Sequence, residues 1–443
     1  MGKISYSANF SGILAVWGCG YIGFSDLIFF GRAGLRCIGV DVDPTIRQRV
    51  LSRTYKRDLD QWLQMDYLDL FEDGIVDIIT DYHQLEVMDI AAHLVCIPTE
   101  RNGAPDMSIM EEVADRIIQL ENRRNSTVTS ILLESTMVPG TAAKMHDRFL
   151  NGLKDKTLLF AVAPRRDWFL SSEQNLANLP RVLGADSPHA LAYFQQVLGQ
   201  VCKTIIPASS YAAAEITKCV ENAYRHMDIT LANQLSDAFP DLDVREVLRL
   251  VGTKWNVNTY FPSFGTGGYC IPLSSKYLLQ GARELAGTSI PLLEETIRFD
   301  SGRAQTLGDE ILPNLDDGLI GVFGVAYKAD TSVTKNAPAL DMISRLRQRG
   351  FRIFVTDPEI EQERLMKETG CPTFDPDDNV LISQFDAVVY CTAHSAFGSL
   401  NTRIVPWLKV GCHIYDGTDV PQSGWPKEYY HLIGTPSWGS ESR

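Results

Sequence analysis

The feature that most constrains the fold is a glycine-rich turn near the start of the 443-residue chain, Gly18–Gly23, with the sequence G-C-G-Y-I-G. The apolar segment Ile13–Trp17 before it predicts a buried parallel strand, and a helical pattern of apolar residues follows it. A second apolar segment, Cys37–Val40, ends at Asp41, which lies 18 residues after Gly23. The sequence therefore predicts a strand, a glycine turn, a helix, a strand and an acid, in this order.

This order is typical of a dinucleotide-binding βαβ unit. Its glycines allow a tight turn and a close approach of the backbone to a pyrophosphate at the helix N-terminus, and its acid hydrogen-bonds a ribose. Because the closing residue Asp41 is an acid and not an arginine, the unit favours NAD over NADP. The predicted cofactor contacts are Gly18, Gly20, Tyr21, Ile22, Gly23 and Asp41.

Strand and helix patterns continue to alternate after this unit, which predicts a doubly wound parallel sheet. The strand candidates are Ile75–Thr80, Ala92–Pro98, Val128–Glu134 and Thr157–Ala163. Ligands of such sheets lie beyond the carboxyl ends of the strands. We therefore expect Thr99 and Thr136, which follow two of these strands, near the reactive end of the cofactor.

The second half of the chain begins with a long helical pattern from about Tyr211 to Asp237 and then starts a new α/β unit at Leu319–Ala326. Strand candidates of that unit are Arg352–Thr356, Ala387–Thr392 and His413–Tyr415. The predicted fold class is α/β, with two Rossmann-like doubly wound parallel-sheet domains joined by a central helical region. We place these segments at residues 1–208, 209–312 and 313–443, with the helical region in the middle.

A second glycine-rich segment, Phe264–Pro272, places Cys270 directly after a run of glycines. Glycine N–H groups can approach a phosphate closely, and a thiol beside them can be reached by the group that the phosphate carries. A buried structural cysteine is the other interpretation of this segment. Lys218 and Asn222, spaced i,i+4, share one face of the long predicted helix. Because that helix is otherwise apolar, we predict that both residues are functional.

Composition and charge argue against several classes of function. With 45% hydrophobic and 22% charged residues, the chain is globular and not disordered. Its net charge of −14 argues against nucleic-acid binding, which needs a clustered positive surface. Nine cysteines without a C-x-x-C pair argue against a disulfide framework and predict a reducing cytoplasm. No apolar run has the length of a membrane span and the histidines lack ligand spacing, so we predict neither a membrane segment nor a metal.

Together these motifs resemble those of the nucleotide-sugar 6-dehydrogenases, the family of the UDP-glucose and UDP-N-acetyl-hexosamine dehydrogenases. The resemblance is ordered and spans nearly the whole chain. Besides the Gly18–Gly23 turn with Asp41, the matching segments are Glu134–Thr141 (E-S-T-M-V-P-G-T), Glu215–Asn222 (E-I-T-K-C-V-E-N), Gly265–Pro272 (G-T-G-G-Y-C-I-P), and Phe323–Thr331 (F-G-V-A-Y-K-A-D-T) followed by Ala337–Leu340 (A-P-A-L).

The resemblance implies two successive hydride transfers to NAD, which convert the C6 alcohol of a UDP-hexose or UDP-N-acetyl-hexosamine into a carboxylate. Cys270 would hold the intermediate as a thiohemiacetal and then as a thioester. Lys218 and Asn222 would stabilise charge on the C6 oxygen, and Thr136 would position the hydrolytic water. The resemblance further implies a homodimer formed through the central helix, cofactor contacts at Thr99, Thr136 and Lys335, and substrate contacts at Arg165, Arg166, Phe261, Phe264, Gly265, Gly267 and Lys328.

The chain departs from the family pattern at two acidic positions. Ser274 stands where the family has an aspartate, and Arg165 replaces the glutamate of a P-E pair, although Arg166 fits the P-E-R form of the N-acetyl-hexosamine branch. We predict Ser274 as a catalytic residue in the place of the acid. Because loss of a general base costs about 10²–10⁴-fold in its step, two alternatives stay open. In the first alternative, the reaction stops at the C6 aldehyde. In the second, the protein binds NAD and nucleotide sugar without turnover.

Overall fold

The computed structural model describes residues 11–55, 62–167, 171–315, 317–418 and 424–438. This part of the chain divides into two compact units, each built around its own parallel sheet. The first unit comprises the residues up to Glu221 together with Lys276–Thr288, and the second comprises Asn222–Ser275 and the residues from Ser289 onward.

The main sheet of the first unit has eight strands in the order β10-β9-β8-β7-β4-β1-β2-β3. Its strands are β1 (Ile13–Trp17), β2 (Arg36–Val40), β3 (Val76–Ile79), β4 (Ile90–Val95), β7 (Val128–Leu133), β8 (Thr157–Val162), β9 (Arg181–Ala185) and β10 (Ile205–Pro207), while β5 (Glu100–Arg101) and β6 (Ala104–Pro105) form a hairpin. The six strands from β8 to β3 pair in parallel, and β9 runs antiparallel to β8. The strand order reverses between β1 and β4, and such a point opens a crevice beyond the strand ends.

Helices connect these strands and cover both faces of the sheet. They are α1 (Tyr21–Arg32), α2 (Ile46–Leu51), α3 (Leu68–Glu72), α4 (Ser108–Arg123), α5 (Thr141–Gly152) and α6 (Pro188–Gly199), with a 3-10 helix at Tyr82–Val87. Leu14 and Val16 of β1 pack into the core on one face of the sheet, and Ala15 and Trp17 pack into the core on the other. A strand buried on both faces is apolar throughout, which is why Ile13–Trp17 shows no polar alternation.

The second unit contains a five-stranded sheet in the order β12-β11-β13-β14-β15, in which every pair is parallel. This is the 2-1-3-4-5 order, the other common arrangement of doubly wound sheets. The strands are β11 (Leu319–Phe323), β12 (Arg352–Thr356), β13 (Ala387–Tyr390), β14 (His413–Asp416) and β15 (Tyr430–Leu432). The helices of this half of the chain are α8 (Val244–Val251), α10 (Pro291–Glu310), α11 (Pro338–Gln348), α12 (Gln362–Thr369), α13 (Asn379–Ile382) and α14 (Leu400–Ile404), with 3-10 helices at Ser395–Phe397 and Val405–Trp407.

Two further helices, α7 (Tyr211–Ala238) and α9 (Cys270–Ala286), each contain one point at which the chain passes from one unit to the other, and a third such point lies between Thr288 and Ser289. The two sheets confirm the predicted α/β class. Strands β9, β10 and β15 and the hairpin strands β5 and β6 were not predicted, and each of them has at most five residues. The division into three consecutive segments stays a prediction. Among the described residues, no helix combines the length and apolarity needed to cross a bilayer.

Candidate functional site

The three glycines of the Gly18–Gly23 turn meet three different steric demands. Gly18 has a φ of +87°, and a Cβ there would lie 2.6 Å from the carbonyl oxygen of Cys96. A Cβ on Gly23 would lie 1.9 Å from the carbonyl oxygen of Gly18, so this glycine lets helix α1 pack against the strand. At Gly20 a Cβ would meet no heavy atom within 4 Å. The open space at Gly20 is where a pyrophosphate can approach the backbone.

Asp41 is held at the end of β2 by backbone donors. Its carboxylate accepts hydrogen bonds from the N–H of Cys19 at 2.7 Å and from the N–H of Asp43 at 3.0 Å. Tyr21 and Ile22, the other predicted contacts of this unit, are half-buried and form the start of helix α1. An open glycine turn at a helix N-terminus beside an oriented carboxylate fits NAD, with the ribose at Asp41 and the pyrophosphate at Gly20.

The structure brings Thr99 and Thr136 together beyond the ends of β4 and β7. The Thr99 hydroxyl donates to the backbone oxygen of Thr136 at 2.5 Å, and it lies 3.0 Å from the hydroxyl of Tyr277. Tyr277 in turn donates to the backbone oxygen of Thr99 at 3.0 Å. Sequence reasoning missed Tyr277, whose only local signal is its position two helical turns after Cys270 in α9. Its hydroxyl fixes both loops at the edge of the sheet where the cofactor is expected.

Glu215, the first residue of the E-x-x-K-x-x-x-N segment, caps helix α5. Its carboxylate accepts hydrogen bonds from the N–H groups of Gly140 at 2.9 Å and Ala142 at 2.7 Å. Burial raises the pKa of Glu215, and these backbone donors oppose the rise. The contact joins the Glu134–Thr141 segment to the helix that carries Lys218. Lys218 itself is half-buried, one turn before Asn222 in the same helix.

Arg165 points into the interior of the first unit, and its side chain is 2% exposed. Its guanidinium contacts the carboxylate of Asp26 and forms a two-point ion pair with Asp167 at 2.7 and 2.9 Å. Arg166 is half-buried, pairs with Glu221 at 2.7 Å and donates to the backbone oxygen of Pro180. The donors of Arg165 are thus bound to buried protein groups, and the substrate contact proposed for this residue stays a prediction.

In the second unit Cys270 is the first residue of helix α9 and is exposed. Asn222 is buried, and its Nδ2 lies 3.3 Å from the backbone oxygen of Cys270 and 3.0 Å from the hydroxyl of Ser274. The Ser274 hydroxyl donates to the backbone oxygen of Cys270 at 2.6 Å. Asn222 and Ser274 therefore hold the first turn of the helix that begins with the thiol. With its proton donated to a carbonyl and only 1% of the residue exposed, Ser274 is poorly placed to act as a base.

The glycine loop before Cys270 packs against the segment that follows β11. A Cβ on Gly267 would lie 2.7 Å from the Cβ of Tyr327, so only glycine fits there. Gly268 donates from its N–H to the backbone oxygen of Lys335 at 3.1 Å. The Nζ atom of Lys335 lies 5.8 Å from the ring centre of Tyr269, a cation–π contact. This packing sets the path of the loop that leads to the thiol.

The remaining predicted substrate contacts differ in their surroundings. Phe264 is 4% exposed and packs in the core of the second unit, and its substrate contact stays a prediction. Phe261 is half-buried, with the Arg245 guanidinium 5.1 Å from its ring centre. Gly265 has a φ of +129°, and Lys328 is half-buried.

The predicted site residues are divided between the two units. The first unit contains Gly18, Gly20, Tyr21, Ile22, Gly23, Asp41, Thr99, Thr136, Arg165, Arg166 and Lys218. The second unit contains Asn222, Phe261, Phe264, Gly265, Gly267, Cys270, Ser274, Lys328 and Lys335.

The second sheet also has an acid directly after its second strand, as Asp41 follows β2, but the oxygens of this acid are bound by protein groups. Asp357 follows β12 and accepts hydrogen bonds from the N–H groups of Val325 and Ala326 at 2.7 and 2.9 Å. The same oxygen lies 3.2 Å from Nε2 of His394, and both side chains are completely buried. Burial raises the pKa of Asp357, but the His394 and backbone donors outweigh it and hold the pKa below its usual value. An acid without exposed oxygens cannot bind a ribose, so the second sheet does not repeat the dinucleotide site.

Two groups of potential metal ligands occur among the described residues, Asp26 with Cys96 and Glu134, and Asp330 with Glu359 and His394. In one group the Cys96 thiol lies 3.2 Å from the Asp26 carboxylate, which Arg165 also contacts. In the other, Nδ1 of His394 accepts from the N–H of Asp330 while Nε2 faces Asp357. These contacts engage Cys96, Asp26 and His394, and the absence of a metal stays a prediction.

The open glycine turn, the oriented acid and the polar loops beyond β4 and β7 define an NAD-binding domain. Models of the UDP-glucose/GDP-mannose dehydrogenase family match most of the chain, with the NAD binding domain at residues 13–202, the central domain at 212–301 and the UDP binding domain at 321–422. The chain belongs to the UDP-glucose/GDP-mannose dehydrogenase family. It is therefore an oxidoreductase of the nucleotide-sugar dehydrogenase class that uses NAD, as the resemblance implied.

Curated relatives and solved structures agree with this assignment. The chain is 26% identical over 410 residues to a UDP-N-acetyl-D-mannosamine dehydrogenase of Pyrococcus horikoshii, covering 90% of this chain and 92% of the relative. It is 22% identical over 420 residues to a UDP-N-acetyl-D-glucosamine 6-dehydrogenase of Pseudomonas aeruginosa, covering 91% and 96%. In fold it is similar to a UDP-D-ManNAc dehydrogenase structure from Pyrococcus horikoshii, with a TM-score of 0.81, 22% identity and coverage of 96% and 100%. A UDP-glucose dehydrogenase structure from Pyrobaculum islandicum gives a TM-score of 0.82 at 21% identity, covering 98% and 99%.

Proposed function

We propose that this protein oxidises the C6 alcohol of a UDP-sugar to the carboxylate in two NAD-dependent steps, with Cys270 as the covalent nucleophile. The observation that carries the proposal is the exposed thiol at the first residue of α9, with the Asn222 amide hydrogen-bonded to the same helical turn. The names of the two curated relatives favour a UDP-N-acetyl-hexosamine over a UDP-hexose. Arg166, which fits the form of that branch, points the same way.

In the proposed mechanism, the Gly18–Gly23 turn and Asp41 would hold NAD, which would supply the hydride acceptor for both oxidations of C6. The sulfur of Cys270 adds to the C6 aldehyde to form a thiohemiacetal, and the second oxidation converts this adduct into a thioester. Water then cleaves the C–S bond, which releases the carboxylate and restores the thiol. The Lys218 ammonium and the Asn222 amide stabilise the negative charge that develops on the C6 oxygen. Thr136, beyond the end of β7, positions the water.

Among the predicted substrate contacts, we propose Arg166, Lys328, Gly265 and Gly267 as the ones that bind the nucleotide sugar. The other three predicted contacts would then support these residues indirectly, because their side chains contact other protein groups. They are Phe261, Arg165 and Phe264. We also propose that Lys335 contacts the cofactor, as the resemblance implies. A binding test with UDP distinguishes the two groups at Arg166 and Lys328, since loss of these half-buried side chains is expected to lower affinity with little loss of stability.

The observation on Ser274 supports a second candidate, a two-electron oxidation that stops at the C6 aldehyde. The Ser274 hydroxyl stands in the place of the family aspartate, and its proton is donated to the Cys270 carbonyl. A missing base slows its step by about 10²–10⁴-fold. Under this candidate the aldehyde leaves before the second oxidation.

The test is the number of NADH molecules formed per nucleotide sugar consumed, with UDP-N-acetyl-hexosamines and UDP-hexoses as substrates and products identified by mass. Two NADH and a carboxylate support the main proposal. One NADH with a released aldehyde supports the second candidate. No NADH, with NAD and sugar binding intact, leaves a protein that binds without turnover. A Cys270→Ser variant is the control, because it retains both ligands and loses the thioester.

We further propose that the chain forms a homodimer through the central helix and works in the cytoplasm. Tyr224 and Leu231 lie seven residues apart on α7 and are 63% and 55% exposed, an apolar pair that a second copy would cover. Leu231→Asp is expected to give a monomer in sedimentation, whereas Val410→Asp, at another exposed apolar position, leaves the dimer intact. A dimer in both variants would refute this interface. Nine free thiols favour a reducing compartment.

A further inference from the structure

A buried histidine lies one helical turn after Asn222 in helix α7. His226 is 1% exposed, and its Nδ1 lies 2.9 Å from the hydroxyl of Ser275. Its Nε2 lies 3.2 Å from Oδ2 of Asp300, a residue of α10 whose side chain is 7% exposed. The second oxygen of Asp300 accepts a hydrogen bond from the N–H of Thr266 at 2.9 Å. One imidazole thus joins the glycine loop before Cys270 to the helix after it.

The hydrogen bonds of this cluster have a single consistent direction. A carboxylate can only accept, so Nε2 of His226 carries the proton and donates it to Asp300. Nδ1 is then an acceptor and receives the proton of the Ser275 hydroxyl. The cluster has the residue types of a hydrolase triad, but Ser275 is completely buried and no substrate can reach it. A nucleophilic role for Ser275 is therefore excluded, and the cluster acts on the position of its neighbours.

Those neighbours lie on both sides of the thiol. Thr266 is four residues before Cys270, and Ser275 is five residues after it in the first turns of α9. His226 is carried by the helix that also carries Asn222, which is bonded to the same helical turn as the thiol. The imidazole therefore fixes both flanks of Cys270 relative to the Asn222 amide. Catalysis by an oriented nucleophile is sensitive to displacements of about 1 Å, so such a link matters for rate.

We propose that His226 is a positioning residue for the Cys270 thiol, acting through Asp300 on the glycine loop and through Ser275 on helix α9. This inference rests on the proposed function, in which Cys270 is the reacting thiol. His226 touches neither the substrate nor the cofactor in this role.

Two amide substitutions separate the two links. In His226→Gln the side-chain nitrogen can occupy the place of Nε2 and keep the bond to Asp300. In His226→Asn the amide oxygen can occupy the place of Nδ1 and keep the bond to Ser275, but the side chain is too short for Asp300. His226→Ala removes both links. The matched control is Thr230→Val, an isosteric change one turn further along the same helix, at a hydroxyl that is 3% exposed and has no hydrogen-bond partner among the described residues.

Each variant is measured in two ways, by the kcat of NADH formation at saturating substrates and by the rate at which iodoacetamide alkylates Cys270, located by peptide mass. For His226→Ala and His226→Asn we expect kcat to fall at least tenfold with the KM for NAD unchanged. Alkylation is expected to slow at least threefold, because the thiol leaves the helix N-terminus, whose partial positive charge favours a negative sulfur. Thr230→Val should stay within twofold of the unmodified chain in both measurements. His226→Gln, which keeps only the link to Asp300, should fall between the unmodified chain and His226→Ala.

The inference is overturned if His226→Ala keeps both rates within twofold, or if His226→Gln is as slow as His226→Ala. If the unmodified chain forms no NADH, the proposed function fails, and the alkylation series alone then decides the positioning role. If His226→Ala does not fold, Asp300→Asn takes its place. That variant breaks the link to the glycine loop, and an unchanged alkylation rate in it would likewise overturn the inference.

Discussion

Arg165 is the side chain whose removal tests the interpretation of the first unit most directly. It lies in a buried group with three carboxyl residues, Asp26, Glu134 and Asp167, and one further cation, Arg181. All five side chains are at most 3% exposed. Burial raises the pKa of Asp26 well above its usual value, against the pull of the Arg165 guanidinium. The group therefore buries three carboxyl groups beside two guanidiniums.

The perturbation is Arg165→Met, which keeps most of the side-chain volume and removes the charge. Asp167 then loses a two-point ion pair and stays in the interior. Removing one partner of a buried pair costs about 3–5 kcal/mol, because the other charge is left uncompensated. For a folded unit of about 200 residues, this corresponds to a fall in Tm of roughly 6–20 °C.

The matched control is the same substitution one residue further along. Arg166 pairs with Glu221 at 2.7 Å, but about 30% of each side chain is exposed. Pairs with this degree of solvent access are worth about 0–1 kcal/mol. Arg166→Met should therefore leave the unfolding midpoint nearly unchanged. The assay is urea and thermal unfolding of both variants beside the unmodified chain.

The dependence on pH separates loss of charge pairing from loss of packing. Burial raises the pKa of Asp167, but the Arg165 guanidinium outweighs it and holds the pKa below its usual value. In the unmodified chain this carboxylate stabilises the fold above an unfolded pKa of about 3.9, and the contribution is lost as pH falls through the lower folded pKa. Without the guanidinium, burial raises the pKa of Asp167. The carboxylate of the variant is then protonated as pH falls, which removes the uncompensated buried charge and its cost in stability. The difference in unfolding free energy between the unmodified chain and Arg165→Met should therefore be smaller at pH 5 than at pH 7. A loss below about 1 kcal/mol at pH 7, or a difference that does not change with pH, would refute the reasoning.

Two further predictions concern the cofactor edge of the first unit. Gly20→Ala places its methyl group in open space, so the protein should fold normally while its Kd for NAD, measured by calorimetry, rises about tenfold, or about 1.4 kcal/mol. Gly23→Ala meets the Gly18 carbonyl and should lower unfolding stability by about 1–3 kcal/mol; equal effects of the two substitutions would contradict these roles. Tyr277→Phe removes the hydroxyl that links to Thr99 and should cost about 0.5–1.5 kcal/mol in stability, together with a lower kcat. An unchanged kcat would limit Tyr277 to a structural role.

Much of the architecture was predictable because its signals are local in the chain. The first strand is apolar at every position, and the glycine turn and Asp41 follow it within about 30 residues. The predicted ends match the structure for β1 and β12 and differ by one residue for β8, and most residues of these strands are buried. Their apolar runs end where the chain must turn, so the pattern determines both their existence and their bounds.

The environments of Arg165, Ser274 and His226 were decided only by the tertiary structure. Arg165 binds Asp26, which is 139 residues away, and no local pattern reports such a partner. From the sequence, an arginine beside a candidate substrate loop indicates an anion contact, whereas folding directs it onto buried carboxylates. Ser274 and His226 obtain their partners when α7 packs against α9, 49 to 52 residues apart in the chain. The sequence by itself determined which elements form and where the chemistry-bearing residues lie along them. Which of those residues face one another depends on long-range packing, because a side chain's hydrogen-bond partner is chosen by the fold and not by its neighbours in sequence.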